Sequence, residues 1–136
     1  MGESRKHIEL VEIAFNYTKT IVPEYYLDLI EVDCCDQKKP SRVIGNYVPD
    51  VFYCFNNLMV IGEAKTLDDF ERRHSKEQFM SYIKECSLFD GDAYLIISVP
   101  WEIVVTAKNY FKKLTKDSEK KITIVVLNET GKDFKI

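Results

Sequence analysis

Three side chains near the middle of the chain could together perform metal chemistry: Asp50, Glu63 and Lys65. Glu63 and Lys65 are two residues apart, so in an extended strand they project from the same side. Two ionised carboxylates brought together need a compensating cation, and one lysine supplies only part of that charge. Mg²⁺ suits such a site because it prefers oxygen ligands and completes its shell with substrate phosphate. The residue types therefore predict a Mg²⁺ site, provided that the fold brings the two carboxylates together.

A β-hairpin is predicted to bring the two carboxylates together. Two strand patterns, 48–55 and 58–65, are separated only by Asn56 and Asn57. Asparagine tolerates the left-handed backbone that a two-residue turn needs. Counting outward from this turn, Glu63 faces Asp50 on the same side of the sheet. Both faces of the hairpin are otherwise apolar, which is typical of central strands that are covered on both sides.

The sequence leaves two alternatives open for this hairpin. The carboxylates could lie in solvent at its open end, with Lys65 as a weak surface ion-pair partner. A slip of the register by one residue would instead separate Asp50 from Glu63. Either arrangement would remove the predicted metal site.

The elements around the hairpin predict an α/β fold. They are, in chain order, a helix over 4–20, a strand or short helix over 25–32, a short strand over 42–47, the hairpin, a helix from Ser75, a strand over 93–99, a helix over 100–115 and a last strand over 122–127. Ser75 and Gln78 have the spacing of a capping box. The αβββαβαβ order predicts one domain over 1–136, with a central mixed sheet flanked by helices.

Composition excludes several classes of protein. The 136 residues suit one domain, and a hydrophobic fraction of 46% can fill a core. No apolar run approaches the ~20 residues that cross a bilayer, and no secretory signal is recognised, so a cytoplasmic protein is predicted. The adjacent Cys34 and Cys35 are not expected to pair, and no cysteine spacing suits zinc. Cys54 and Cys86 fall on apolar faces and are predicted to be reduced core thiols.

The segment Pro49-Asp50, twelve further residues and Glu63-Ala64-Lys65 resembles the signature of the PD-(D/E)XK nuclease superfamily. Gln78 and Tyr82, four residues apart on one helix face, resemble the Q-x-x-x-Y motif of a RecB-like subset of these nucleases. The resemblance covers about residues 4–127. It implies a restriction-endonuclease-like core with αβββαβ order, followed here by an extra helix and strand. It also implies a metal-dependent nuclease that hydrolyses DNA phosphodiester bonds.

The resemblance assigns roles to individual residues. Asp50, Glu63 and the backbone carbonyl of Ala64 would bind Mg²⁺, for which Mn²⁺ can substitute. Lys65 would position the attacking water or stabilise transition-state charge, and Gln78 would orient near the active site. Many members also carry a supporting glutamate on the first helix. Glu12 and Glu9 are the candidates for this position, and Glu12 is preferred because it borders the apolar face of that helix.

The expected partner is DNA, although the net charge of −3 gives no overall nucleic-acid signature. A local basic group follows the predicted strand that carries Glu63 and Lys65. Tyr82, on the next predicted helix, is expected to be a further DNA contact. The predicted DNA-binding residues are Arg72, Arg73, His74, Lys76 and Tyr82. The basic group could hold backbone phosphates or be an ordinary solvated loop.

A catalytic core of this length would act as a homodimer or inside a larger nucleic-acid-processing complex. The competing hypothesis is a catalytically silent nuclease-like subunit for DNA binding or assembly. The presence of Asp50, Glu63 and Lys65 disfavours that hypothesis. A nucleotide-binding fold is disfavoured because no glycine-rich phosphate loop follows a predicted strand.

Overall fold

A six-stranded mixed β-sheet forms the centre of the computed structural model, which describes residues 4–116 and 122–136. The strands lie side by side in chain order. The three central strands β3, β4 and β5 are parallel, and every other pairing is antiparallel. The strands are β1 (Glu31–Val32), β2 (Val51–Phe55), β3 (Leu58–Ala64), β4 (Asp92–Ser98), β5 (Thr123–Leu127) and β6 (Asp133–Lys135).

Helices cover both faces of the sheet, as the sequence predicts. They are α1 (Arg5–Ile21), α2 (Leu67–Phe70), α3 (Arg73–Leu88) and α4 (Val104–Leu114), with 3₁₀ helices at Glu24–Leu29 and Trp101–Ile103. One apolar core lies between α1 and the sheet, and a second lies between the sheet and α2, α3 and α4. No helix in the described ranges is long and apolar enough to cross a membrane.

Helix α1 is built from a capped start and a narrow apolar stripe. The Ser4 hydroxyl accepts a hydrogen bond from the backbone N–H of His7 at 3.1 Å, which satisfies one of the free amides of the first turn. Leu10, Val11 and Ala14 recur at helical spacing and are buried against the sheet. Pro23 then excludes a further helical turn. The predicted helix over 4–20 is confirmed to within one residue at each end.

The central hairpin has the predicted turn and register. Asn56 and Asn57 adopt positive φ angles of 55° and 66°, as a two-residue turn with left-handed residues requires. Phe55 pairs with Leu58, and the ladder continues to Val51 opposite Gly62. A side chain at position 62 would meet Val51, because an added Cβ would lie 2.9 Å from the Val51 Cβ. Glycine therefore lets the two strands stay paired close to the site.

The smaller elements differ from the prediction in three places. The short strand over 42–47 is only an isolated bridge between Ile44 and Tyr47. The segment over 25–32 contains both alternatives, a 3₁₀ helix followed by the two-residue β1. The final strand β6 was not predicted, because three residues with one apolar side chain carry no periodic signal.

The start of α3 also differs from the prediction. The helix begins at Arg73, so Ser75 lies inside it and does not form a capping box with Gln78. The short helix α2, which was not predicted, accounts for the difference. The Ser75 hydroxyl donates to the backbone carbonyl of Asp69 in α2 at 2.6 Å, and Gln78 turns instead towards Tyr82.

The cysteines correct two predictions. Cys34 and Cys35 are joined in a disulfide, although adjacent cysteines were not expected to pair. The chain turns sharply here, with positive φ angles of 64° at Cys35 and 54° at Asp36. Cys54 is exposed rather than in the core, because the tip of the hairpin extends beyond the covering helices. Cys86 is buried as predicted.

Candidate functional site

The candidate site lies where β3 ends, at the edge of the sheet where the parallel strands β4 and β5 also present their carboxyl ends. In open sheets of this kind, ligands bind outside the carboxyl ends of parallel strands. Asp50, Glu63 and Lys65 are only 8%, 4% and 7% exposed. The alternative of a solvent-exposed ion pair at the end of the hairpin is therefore wrong. Lys65 continues the pairing with β4, since its backbone N–H donates to the Ser98 carbonyl at 3.0 Å.

Asp50 lies in a bend just before β2. Its Oδ2 accepts a hydrogen bond from the backbone N–H of Ala64 at 2.9 Å, and its own carbonyl accepts one from Asp33 at 2.9 Å. The carboxylate is thus fixed beside β3 by backbone groups. In an extended strand the N–H and C=O of one residue point to the same side. The Ala64 carbonyl therefore faces the gap that contains the Asp50 carboxylate.

Glu63 is the most constrained carboxylate of the site. Its Oε1 accepts a hydrogen bond from the Tyr82 hydroxyl at 3.0 Å, and its Oε2 lies 3.8 Å from the Lys65 ammonium. Burial, together with the nearby Asp50 carboxylate, raises the pKa of Glu63 well above its usual range, against the opposing effect of Lys65. The structure therefore brings two buried carboxylates together, with the Lys65 ammonium beside Glu63.

Gln78 and Tyr82 form a relay behind Glu63. The Gln78 Nε2 donates to the Tyr82 hydroxyl at 3.0 Å, and that hydroxyl donates onward to Glu63. Burial and the Glu63 charge raise the pKa of Tyr82, so it stays protonated as a donor. Tyr82 is completely buried, which corrects the prediction that it contacts DNA. The Gln78 Oε1 is buried with no hydrogen-bond partner in the described part of the chain.

His7 belongs to the site and was not identified from the sequence. Its Nε2 lies 3.4 Å from the Asp50 Oδ2. The hydrogen bond to Asp50 raises the pKa of His7, and the Ala64 backbone adds to the effect. The available signal was its spacing, since His7 precedes Leu10 by three residues and Val11 by four and so lies on the buried stripe of α1.

Glu12 and Glu9 do not reach the site. Both side chains are exposed on α1, and in the described ranges neither makes a hydrogen bond or ion pair with a site residue. The physical reason is the orientation of the helix. The stripe that faces the sheet contains Leu10, Ala14 and Thr18, and the two glutamates lie off it. The preference for Glu12 as a metal-supporting residue is therefore corrected, because α1 presents His7 there instead.

The basic segment after β3 does not act as one group. Arg72, Arg73 and His74 are exposed, but Arg73 pairs with Glu77 and the His74 ring packs edge-on against Tyr47. Lys76 lies over the rings of Tyr110 and Phe70, with its Nζ 3.9 Å and 4.6 Å from their centroids. Among the five predicted DNA contacts, Arg72 is the one that lines the cleft described next.

A cleft of about 520 Å³ is lined by Lys6 and Thr66, the chain neighbours of His7 and Lys65, but by none of the site residues themselves. It is lined by Ser4, Lys6, Thr66, Leu67, Asp68, Asp69, Arg72, Pro100, Glu102 and Glu129. Two of these side chains are basic and four are acidic. Glu129 accepts hydrogen bonds from the Lys6 ammonium at 2.6 Å and from the backbone N–H of Trp101 at 2.7 Å. Lys6 accordingly lowers the pKa of Glu129.

The donors available for a cation are oxygens of Asp50, Glu63 and the Ala64 backbone. Within residues 4–116 and 122–136, no group of three or more His, Cys, Asp or Glu side chains is arranged to hold a metal ion. A cation at this position would therefore need the backbone carbonyl, water or a substrate oxygen to complete its shell. Such a partly protein-made, oxygen-only shell is the kind that Mg²⁺ accepts.

Comparison of the chain with protein-family models, with curated proteins and with solved structures finds no match. The geometry of the site and the pattern of the sequence are therefore the observations from which a function can be argued.

Proposed function

We propose that this chain is a metal-dependent nuclease of the PD-(D/E)XK type, which hydrolyses DNA phosphodiester bonds. The observation that carries the proposal is the buried group of Asp50, Glu63 and Lys65 at the carboxyl end of a central strand. The order of the elements, with α1, then β1 to β3, α3 and β4, agrees with a restriction-endonuclease-like core. The pairing of β3 with β4 and the relay from Gln78 to Glu63 support the same interpretation.

The electrostatics of the site favour a bound cation. Buried carboxylates are stable only when their charge is compensated, and burial together with Asp50 raises the pKa of Glu63. Asp50, Glu63 and the Ala64 carbonyl would hold Mg²⁺, and Mn²⁺ would serve in its place. The ion, when bound, would polarise the phosphate and lower the pKa of bound water.

The protein groups would supply positioning and charge. His7 and the Ala64 amide hold the Asp50 carboxylate, and Tyr82 holds that of Glu63. Lys65 is buried beside Glu63, where its ammonium would stabilise negative charge that develops on the phosphate. Arg72 at the cleft would contribute to backbone binding. Assembly as a homodimer or within a larger complex would complete the DNA-binding surface.

Cleavage of a DNA panel tests the proposal. Duplex, single-stranded, flap and four-way-junction substrates are incubated with Mg²⁺, Mn²⁺ or EDTA. We expect cleavage that requires the metal and falls at least about 10²-fold in Lys65→Ala and in Asp50→Ala. Lys113→Ala is the matched control, because this lysine is exposed on α4, and it should cleave normally.

Two results would contradict the proposal. Cleavage that survives both Lys65→Ala and Asp50→Ala would show that other residues act on the phosphate. DNA binding without cleavage of any substrate in either metal would favour the competing hypothesis, a catalytically silent binding or assembly subunit.

A further inference from the structure

Positive charge is distributed unevenly over the described part of the chain. Six lysine and arginine side chains form ion pairs with carboxylates there, and all six precede residue 74. Helix α4 contains three lysines and no acidic residue. No lysine of α4 or of residues 132–136 forms an ion pair within the described ranges. Uncompensated cations therefore collect on α4 and beside β6.

Three of these lysines, Lys108, Lys112 and Lys132, lie around Phe134 and form what we call the lysine face. The Nζ atoms of Lys108 and Lys132 lie 5.2 Å and 5.5 Å from the centroid of the Phe134 ring. The two ammonium groups are therefore within about 11 Å of each other. Lys112 follows Lys108 by four residues and extends the face by one helical turn. Lys113 lies off the face, because five residues rotate a helix by about 140°.

The backbone that carries Lys132 is held by the turn between β5 and β6. The Asn128 Oδ1 accepts a hydrogen bond from the backbone N–H of Lys132 at 3.1 Å. The Asn128 N–H donates in turn to the Lys132 carbonyl at 3.2 Å. Glu129, the one acidic residue of this turn, already pairs with Lys6 at 2.6 Å. Its charge is therefore offset and does not neutralise Lys132.

The register of the sheet places Lys132 at the same edge as the candidate site. One row of paired residues crosses the strands from β3 to β6, and it consists of Ala64, Ser98, Leu127 and Asp133. Lys65 follows the first residue of this row, and Lys132 precedes the last. Because β6 is antiparallel to β3, both lysines lie one residue beyond the row at one edge. Three strand spacings separate their backbones, which is about 14 Å.

The lysine face is also on the same side of the sheet as the buried carboxylates. Phe134 packs against the core that lies between the sheet and α2, α3 and α4. Glu63 accepts the hydrogen bond of Tyr82, which belongs to α3 on that side. Side and edge together therefore put three unpaired lysines next to the region where a substrate would meet Lys65.

We propose that the lysine face binds the phosphate backbone of the DNA whose scissile phosphate lies at the candidate site. The inference rests on the proposed nuclease function and adds the surface that holds the substrate. Each strand of a duplex carries one negative charge per about 3.4 Å of its axis, so about 14 Å corresponds to about four nucleotides. Lysine contacts phosphate as a point charge, so the face contributes affinity without sequence preference.

The salt dependence of DNA binding tests the lysine face directly. The full chain is titrated against a labelled duplex by fluorescence anisotropy in EDTA, which prevents metal-dependent cleavage, at several KCl concentrations. Each of Lys108→Gln, Lys112→Gln and Lys132→Gln should lower the slope of log affinity against log salt by about 0.9. That slope corresponds to about an 8-fold weaker Kd at 0.1 M salt for each lost contact, and to about 10²- to 10³-fold in the triple variant.

Lys113→Gln is the matched control. Lys112 and Lys113 both lie in the last turn of α4, so their substitutions remove the same net charge and the same interaction with the helix dipole. Lys113→Gln should leave the slope unchanged and the Kd within about twofold, because salt screens distant charges. Lys132→Arg should retain most of the affinity. If Lys108→Gln lowers the melting temperature through loss of its contact with Phe134, Lys112→Gln and Lys132→Gln provide the comparison.

The outcomes separate the lysine face from the nuclease function. A triple variant with the affinity and slope of the parent would overturn the face, even if DNA is cleaved, and so would a chain that binds no DNA at low salt. An equal loss in Lys113→Gln would reduce the effect to net charge and overturn it as well. Binding to phosphatidylglycerol vesicles in place of DNA would replace the proposed partner by an anionic membrane. DNA binding that depends on the face, in a protein that cleaves no substrate with any metal, would sustain the face and refute the nuclease.

Discussion

Replacing Glu63 by glutamine should stabilise the metal-free protein. Glutamine keeps the shape of the side chain and can still accept the Tyr82 hydrogen bond, but it removes a buried charge. Asp50 would keep its contact with His7, and Lys65 would remain as a nearby cation. The perturbation therefore isolates the electrostatic strain that the site places on the fold in the absence of a cation.

The structure sets the size of the effect. Glu63 is 4% exposed and has one cation, the Lys65 ammonium at 3.8 Å, opposed by the carboxylate of Asp50. The repulsion from Asp50 outweighs the attraction to Lys65, so the desolvation cost of the Glu63 charge is not offset. Replacing buried ionised groups by neutral ones of similar volume, with no charge left unpaired, is neutral or stabilising by about 1–4 kcal/mol. The hydrogen bond from Tyr82 to the glutamine is weaker than that to the carboxylate. With this loss included, we expect Glu63→Gln to raise the free energy of unfolding by about 1–3 kcal/mol, which corresponds to about 3–10 °C in Tm.

The gain should depend on pH in a defined direction. The pKa of Glu63 is raised in the folded protein, which therefore holds this proton more tightly than the unfolded chain. The destabilisation of the parent protein by the Glu63 charge is absent below about pH 4.3, the pKa of an unperturbed glutamate. It grows as the pH rises towards the pKa of Glu63 in the folded protein, and stays constant above that value. The difference between Glu63→Gln and the parent should thus be largest at pH 8 and close to zero near pH 4.

Urea unfolding in EDTA at several pH values measures this difference. Glu77→Gln is the matched control, because Glu77 is exposed on α3 and its ion pair with Arg73 is long. Saturating Mg²⁺ should stabilise the parent more than the variant, since binding to the folded state raises stability by mass action. A variant that is less stable than the parent at pH 8 in EDTA would refute the reasoning. So would a difference of equal size at pH 4 and pH 8.

Two further substitutions test the groups that hold the carboxylates. The hydrogen bond to Asp50 raises the pKa of His7. The contribution of this interaction to the free energy of unfolding is therefore fully present below about pH 6.5, and it is lost as the pH rises through the pKa of His7 in the folded protein. In urea unfolding with EDTA, His7→Asn should therefore lower the free energy of unfolding by about 0.5–2 kcal/mol at pH 6 and by much less at pH 9. The control His74→Asn, at an exposed histidine, should lower it little at either pH. Equal losses for His7→Asn at both pH values would speak against the His7–Asp50 interaction. Tyr82→Phe leaves Glu63 without its buried donor and should cost about 1–3 kcal/mol in thermal unfolding, with about a tenfold loss of metal-dependent cleavage. Tyr53→Phe is its control, because the buried Tyr53 hydroxyl has no hydrogen-bond partner in the described chain, and a similar loss there would remove the special role of Tyr82.

The local chemistry of the hairpin made the centre of the fold predictable. Asn56 and Asn57 fix both the turn and the register, and the register determines where Asp50 and Glu63 lie along their strands. One detail differed. The ladder ends at Val51 opposite Gly62, so Asp50 lies in a bend just outside it, and its carboxylate accepts the Ala64 N–H. Local pattern therefore predicted the neighbourhood of the two carboxylates but not their hydrogen bonds.

Features that depend on distant contacts were not predictable in the same way. The spacing of His7 places it on the buried stripe of α1, but only the packing of α1 across the sheet brings that stripe to Asp50. Tyr82 has the spacing of a functional residue, yet packing alone decides that it lies behind Glu63. The position of Ser75 inside α3 depends on the carbonyl of Asp69 in the preceding short helix. Tertiary packing, which single-sequence patterns do not contain, decided each of these cases.

The order of the strands has a consequence for how the protein is made. Neighbours in the sheet are also neighbours in the chain, so each strand can dock beside the one synthesised before it. The buried carboxylates and their relay are complete once α3 and β4 have emerged. Glu129 lies in the segment after β5, which follows β4 in the chain, and it links Lys6 in α1 to the backbone of Trp101. The strands and helix that hold the buried carboxylates can therefore pack together before the segment that carries Glu129 joins the fold.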